Sequence, residues 1–147
     1  SRGLGDVYKR QMQYGHKMIL EDRTIQIMAY TVETIIAEKL ETIVSRADAN
    51  TRLKDFYDLY LLNRQSKAEI KFNILKKAIQ ATSEKRETAD QLGAYISVLT
   101  ALKASPSLQR LWIAYQKSNE YARGIDFGIT CDAAIDLIKK SGLEQQI

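Results

Sequence analysis

From Thr31 to Arg46 the apolar positions Val32, Ile35, Ile36, Leu40, Ile43 and Val44 recur at three- and four-residue spacing, which predicts a helix with one buried stripe. Thr31 stands where an N-cap hydroxyl belongs. Ala47-Asp48-Ala49-Asn50 is a polar connection, and Asn50 or Thr51 is placed to cap a second helix from Arg52 to about Asn63. Upstream the period is two: Ile25, Ile27 and Ala29 alternate with Thr24, Gln26 and Met28, and Met18-Ile19-Leu20 precede a charged break at Glu21-Asp22-Arg23. This predicts a short β-ribbon over 17–30. Two strands alone are marginal in water, so the ribbon must pair with something upstream or lie on the helices that follow.

From Lys67 onward the pattern predicts helices only. Ile70, Ile74, Leu75, Ala78 and Ile79 carry one, running out in the polar segment Thr82 to Asp90, and Leu92, Ile96, Leu99 and Leu102 carry the next. Ser105-Pro106 is a start signal, a capping hydroxyl followed by the proline that suits the first helical position. Gly124 and Gly128 punctuate a loop around Ile125-Asp126-Phe127, and Thr130 is the expected cap of a last helix that Gly142 closes. The fold class is therefore mainly α: a short β-ribbon followed by a C-terminal helical bundle over 65–147.

Composition narrows the chemistry. With 45% hydrophobic and 27% charged residues the chain is globular, and 22 Lys plus Arg against 18 Asp plus Glu gives a net charge of +4, short of a dedicated nucleic-acid tract. One cysteine, Cys131, and one histidine, His16, exclude a disulfide framework and a soft-metal site. No apolar run reaches the roughly 18 residues of a membrane span, so a cytoplasmic setting is expected.

The candidate chemistry starts at Lys39, three residues after Ile36 and four before Ile43, in the middle of the apolar stripe. A snorkelling stem is one explanation. Arg46, seven residues on, shares the stripe, and two cations there suggest a bound anion, phosphate being the natural one for a lysine point charge and an arginine fork. On the second helix Asp55 and Asp58 are three apart and project to one side, an arrangement that asks for a cation or proton between them. Asp58 could instead pair with Lys54 at i,i+4 and Asp55 could serve the helix dipole; Lys39 is the candidate partner across the helix pair. Tyr57, Tyr60, Trp112 and Tyr115 lie at helical spacing among leucines and are read as core.

These segments carry a resemblance. Tyr30-Thr31-Val32-Glu33-Thr34-Ile35-Ile36-Ala37-Glu38-Lys39-Leu40, then Ser45-Arg46, then Thr51-Arg52-Leu53-Lys54-Asp55-Phe56-Tyr57-Asp58-Leu59-Tyr60, resemble the third and fourth motifs of the AbiEii/AbiGii abortive-infection toxin family of nucleotidyltransferases. Ala81-Thr82 with Arg86 and Thr88, the Trp112 and Tyr115 pair, and Tyr121-Ala122 before Phe127 look like the family's C-terminal helical part. The resemblance implies transfer of a nucleoside monophosphate from an NTP to an RNA acceptor, in some members the 3′ end of tRNA, and a partner antitoxin of the type IV kind. It maps the family's lysine onto Lys39 as a phosphate contact, with Arg46 and Arg52 beside it, and the motif-four aspartate onto Asp58 or Asp55.

The departure from the pattern is as informative. Such enzymes carry a Gly-Ser turn and a D-x-D pair that hold Mg²⁺, and neither occurs in residues 12–147. Residues 1–11, Ser1 to Gln11, lack an initiator methionine and resemble library-adapter read-through, so Asp6 within them is not assigned a role. The expected organisation is thus a non-native segment 1–11, the C-terminal part of a nucleotidyltransferase domain over 12–64 and a helical domain over 65–147. It predicts an N-terminally truncated chain that is inactive alone. Two other readings stand beside it: a non-catalytic helical module docking nucleic acid or antitoxin through Lys67, Lys71, Lys76, Lys77, Lys85 and Arg86, and a purely structural helical domain.

Overall fold

A computed structural model describes residues 31–49, 52–65 and 69–146, and among them every regular element is helical. The ribbon expected over 17–30 and the cap expected at Asn50 or Thr51 lie outside the described residues. The α-helices are α1 (Val32–Arg46), α2 (Leu53–Gln65), α3 (Phe72–Lys85), α4 (Tyr95–Lys103), α5 (Pro106–Ser118) and α6 (Phe127–Ser141), with 3₁₀ turns at Ala47–Ala49, Ala89–Ala94 and Glu120–Ala122.

Local chemistry sets several boundaries where the sequence puts them. Thr31 Oγ1 accepts from the Thr34 amide at 3.3 Å, Ser105 Oγ accepts from the Leu108 amide at 3.3 Å ahead of Pro106, and Gly142 is left-handed at φ 77°. The last helix starts earlier than expected. It begins at Phe127 behind Asp126, so Gly128 lies in its first turn, and the Thr130 hydroxyl donates to the Phe127 carbonyl at 2.6 Å instead of capping. The reason is packing: Phe127 is buried against Phe56, 5.0 Å between ring centroids, and Trp112, 5.9 Å.

α1 packs most extensively on α3 and also on α2; α2 lies along α6, which in turn meets α4 and α3. One buried cluster runs through these contacts, from Ile36, Leu40 and Ile43 through Phe56, Leu59, Leu75, Ile79, Leu99 and Leu102 to Leu137 and Ile138. Each such side chain contributes about 1.5–3 kcal/mol on burial. Two helices without a local side-chain cap are capped from afar. Glu33 on α1 accepts from the Lys71 amide at 2.9 Å, and Gln145 beyond α6 accepts from the Ile96 amide at 2.7 Å while donating to the Leu92 carbonyl at 2.8 Å. These bonds fix α1 and the C-terminal tail to the bundle, and α1 is the helix that carries Lys39.

Candidate functional site

α1 buries two of its sides, one against α2 and one against α3, and each carries an ionic cluster. On the α2 side Lys39 emerges from the apolar stripe with 16% of its side chain exposed, and its Nζ donates to Asp55 Oδ1 at 3.0 Å and to Asp58 Oδ2 at 2.9 Å. Asp55 and Asp58 are buried. A lysine on a packed face, with only a short path to water, answers the two carboxylates that the helix spacing brings side by side. Lys54 also reaches Asp58, at 3.1 Å from Oδ2 and 3.3 Å from Oδ1, and is half exposed. The i,i+4 pairing and the cross-helix pairing therefore coexist on one carboxylate.

The two aspartates are not equivalent. Both oxygens of Asp58 accept from an ammonium. Asp55 Oδ1 is taken by Lys39, whereas its Oδ2 is buried without a hydrogen-bond partner, with Arg52 Nε 3.6 Å away. A buried carboxylate oxygen with no hydrogen bond is costly, and the Arg52 guanidinium is the charge that answers it. Arg52 is mostly exposed and edges the cluster. Arg46, in the last turn of α1, is exposed and makes no contact with the cluster among the described residues.

An aromatic group adjoins the cluster. Tyr57, next to Asp58, packs on Tyr121 at 4.7 Å between centroids and on Tyr60 at 6.2 Å, and the Tyr115 and Tyr121 hydroxyls are 2.6 Å apart. Trp112 is in the core, as its spacing predicts; Tyr57, Tyr60 and Tyr115 are half-buried. Burial pushes the Tyr57 hydroxyl above its ordinary pKa, reinforced by Tyr121, Tyr60 and the negative charge of Asp58. Tyr115 is shifted the same way, first by burial and then by its hydrogen bond with Tyr121, with Asp58 again contributing.

On the α3 side Arg86 donates to Glu41, to Glu38 at 2.7 Å and to Thr42 Oγ1 at 2.8 Å, while the Thr88 hydroxyl donates to the second Glu41 oxygen at 3.0 Å. The Glu41 hydrogen bond, followed by the charges of Glu41 and Glu38, outweighs desolvation and raises the Arg86 pKa. Tyr95 lies nearby with its hydroxyl buried and without a hydrogen-bond partner, and burial pushes it up to about 12. The helical pattern puts Glu41 opposite the apolar stripe, so its burial is not readable there. The one available signal was Glu38 and Glu41 at i,i+3, a like-charge pair in need of a cation.

A metal finds no seat here. Among the described residues no group of three or more His, Cys, Asp or Glu could hold one, and the Lys39 ammonium already lies between the Asp55 and Asp58 oxygens. The Mg²⁺ that nucleotidyl transfer implies does not fit these side chains. Among the same residues no helix is long and apolar enough to cross a membrane.

Comparison with known proteins adds a family. The model of the nucleotidyl transferase AbiEii toxin, type IV toxin-antitoxin system, matches residues 3–133. No curated protein and no solved structure matches the chain.

Proposed function

Since the chain belongs to the AbiEii nucleotidyl transferase toxin family of type IV toxin-antitoxin systems, we propose that its Lys39 cluster is the part of a nucleotidyltransferase site that holds the triphosphate and receives the acceptor. Membership in such a family implies an antitoxin partner. The observation that carries the reading is the shared lysine: one ammonium, held by two buried carboxylates on a packed helix face, is a fixed positive charge aimed from rigid elements. Nucleotidyl transfer needs positioning and stabilisation of negative charge, which such a lysine supplies to a phosphate oxygen. Lys54 and Arg52, both on the solvent side, add charge that a triphosphate would meet on entry.

The inequality of the aspartates suggests their roles. Asp58, saturated by Lys39 and Lys54, orients the lysine. Asp55 holds the same ammonium through Oδ1, while its Oδ2, closed to solvent, lies 3.6 Å from Arg52 Nε. The residues that would hold Mg²⁺ are not found in 12–147, so the isolated chain binds without transferring.

The test is binding and turnover with the purified 147-residue chain. Labelled ATP or another NTP binds in a Lys39-dependent manner, and Lys39→Ala lowers that affinity at least tenfold. No nucleotide enters tRNA. Asp55→Asn, which removes one of the two charges that hold Lys39, lowers triphosphate affinity by less than Lys39→Ala does. Triphosphate affinity equal in wild type and Lys39→Ala would sink the assignment of the lysine, and nucleotide incorporation by this chain would sink its inactivity.

A further inference from the structure

The tail after α6 closes a cavity against α3. Gly142 turns the chain in the left-handed region at φ 77°, Leu143 is buried behind it, and the tail then meets the 3₁₀ turn Ala89–Ala94. Besides the two bonds of Gln145 described above, the Gln146 amide donates to the Gly93 carbonyl at 2.8 Å. A glycine suits that approach, because a Cβ at position 93 would stand 3.2 Å from Gln146 Cγ. Between tail, turn and α3 lies a cavity of about 500 Å³ that opens to solvent, within the size range of small-molecule sites.

Its lining divides by chemistry. Lys76 and Gln80, one helical turn apart, line it from α3, Glu144 lines it from the tail, and Leu92 and Leu143 supply apolar surface. Lys76 and Gln80 are half-buried and Glu144 is exposed, and the polar ends of all three side chains have no hydrogen bond or ion pair among the described residues. Gln145, in contrast, spends its amide on the Ile96 N–H and the Leu92 carbonyl. A cation and an anion thus share one cavity without reaching each other. No residue of the two ionic clusters on α1 lines it, and the tail lies beyond the stretch 3–133 that the chain shares with its family.

Unpaired charges of opposite sign select their ligand. A simple anion drawn to Lys76 meets the repulsion of Glu144, a simple amine meets that of Lys76, and a polyphosphate finds a single cation. A small molecule bearing both charges satisfies both at once. The leucines favour an apolar body between those charges, and the Gln80 amide adds a donor and an acceptor.

We infer that this cavity binds a free α-amino acid with an apolar side chain. Its carboxylate meets Lys76, its ammonium meets Glu144, and its side chain lies against Leu92 and Leu143. A ligand held in this way ties the tail to α3 and stabilises the folded chain.

The experiment titrates L-leucine into the full isotope-labelled chain, read by amide NMR shifts and by thermal unfolding. Saturable shifts at Gly93 and at Leu143 to Gln146 are expected, with a Tm that rises with leucine concentration. Isocaproate, which is leucine without its amine, and isoamylamine, which is leucine without its carboxylate, each bind more weakly. Lys76→Met and Glu144→Gln, at positions outside the core, each weaken leucine about 3- to 10-fold, as loss of a charge contact partly open to water does. Lys76→Met leaves isoamylamine no weaker, and Glu144→Gln leaves isocaproate no weaker. Absence of saturable shifts, shifts centred away from the cavity, either analogue binding as tightly as leucine, or either variant binding leucine like wild type overturns the inference and leaves the lining a solvated surface.

Discussion

α1 carries two ionic clusters on opposite sides, and their difference separates scaffold from candidate site. Around Arg86 every charged group is answered, although the nearby Tyr95 hydroxyl is not: both oxygens of Glu41 accept, from Arg86 and Thr88, and Glu38 and Thr42 take the remaining guanidinium contacts. Around Lys39 one buried oxygen, Asp55 Oδ2, has no donor, and half-buried tyrosines adjoin it. The first arrangement clamps α1 to α3. The second holds a lysine between two carboxylates and leaves one of their oxygens with an ion pair to Arg52 in place of a hydrogen bond. Burial and charge alone do not make the distinction, since Glu41 is as buried as Asp55; satisfaction does.

Three substitutions sharpen the contrast. Lys39→Ala has the largest effect, because it leaves Asp55 and Asp58 buried with only Lys54 and Arg52 in reach. A loss of about 3–5 kcal/mol in urea unfolding is expected, alongside the loss of triphosphate affinity. Arg86→Ala costs about 1.5–3 kcal/mol, the worth of hydrogen bonds to charged groups, since the guanidinium is one-third exposed. Triphosphate affinity of the folded protein should stay within twofold. A large drop there would erase the division between the clusters.

Tyr95→Phe is the smallest change and concerns the scaffold side. The hydroxyl has no hydrogen-bond partner, so its removal should alter stability at pH 7 by under about 1 kcal/mol. Its effect appears in alkali. The folded protein keeps the Tyr95 proton up to about 12, whereas the unfolded chain releases it near the ordinary tyrosine value of 10.0. The unfolded state therefore gains as pH rises between these values, and stability that is fully present below pH 10 is progressively lost. Denaturation followed from pH 9 to 12 should show a shallower decline in Tyr95→Phe than in wild type; identical slopes would show that another group governs alkaline unfolding.

Much of this was legible in the sequence because it is local. Thr31, Ser105-Pro106 and Gly142 fix helix ends through bonds to neighbours three or four residues away, and Lys39 betrayed itself by sitting in an apolar stripe. The pairing of Lys39 with Asp55 and Asp58 was half legible: spacing put the carboxylates on one side of α2 but left open whether Lys54 or Lys39 would claim them. The start of α6 was misplaced by four residues because Thr130 looks like a cap, and only the burial of Phe127 against Phe56 and Trp112 pulls the helix back to it. Glu41 was unreadable, since α3 covers a side of α1 that its own pattern marks as polar.

By itself the sequence determined most of the helices, singled out Lys39, Asp55 and Asp58 and carried the family resemblance, all of which depend on spacing along one chain. Tertiary structure decided which of those residues are satisfied. Whether a carboxylate oxygen finds a donor depends on groups brought to α1 from up to 48 residues away, as with Arg86 and Glu38, and no local period encodes that distance. Asp58 has Lys54 four residues before it on the same helix, and tertiary structure adds Lys39, which bonds both Asp55 and Asp58 from α1.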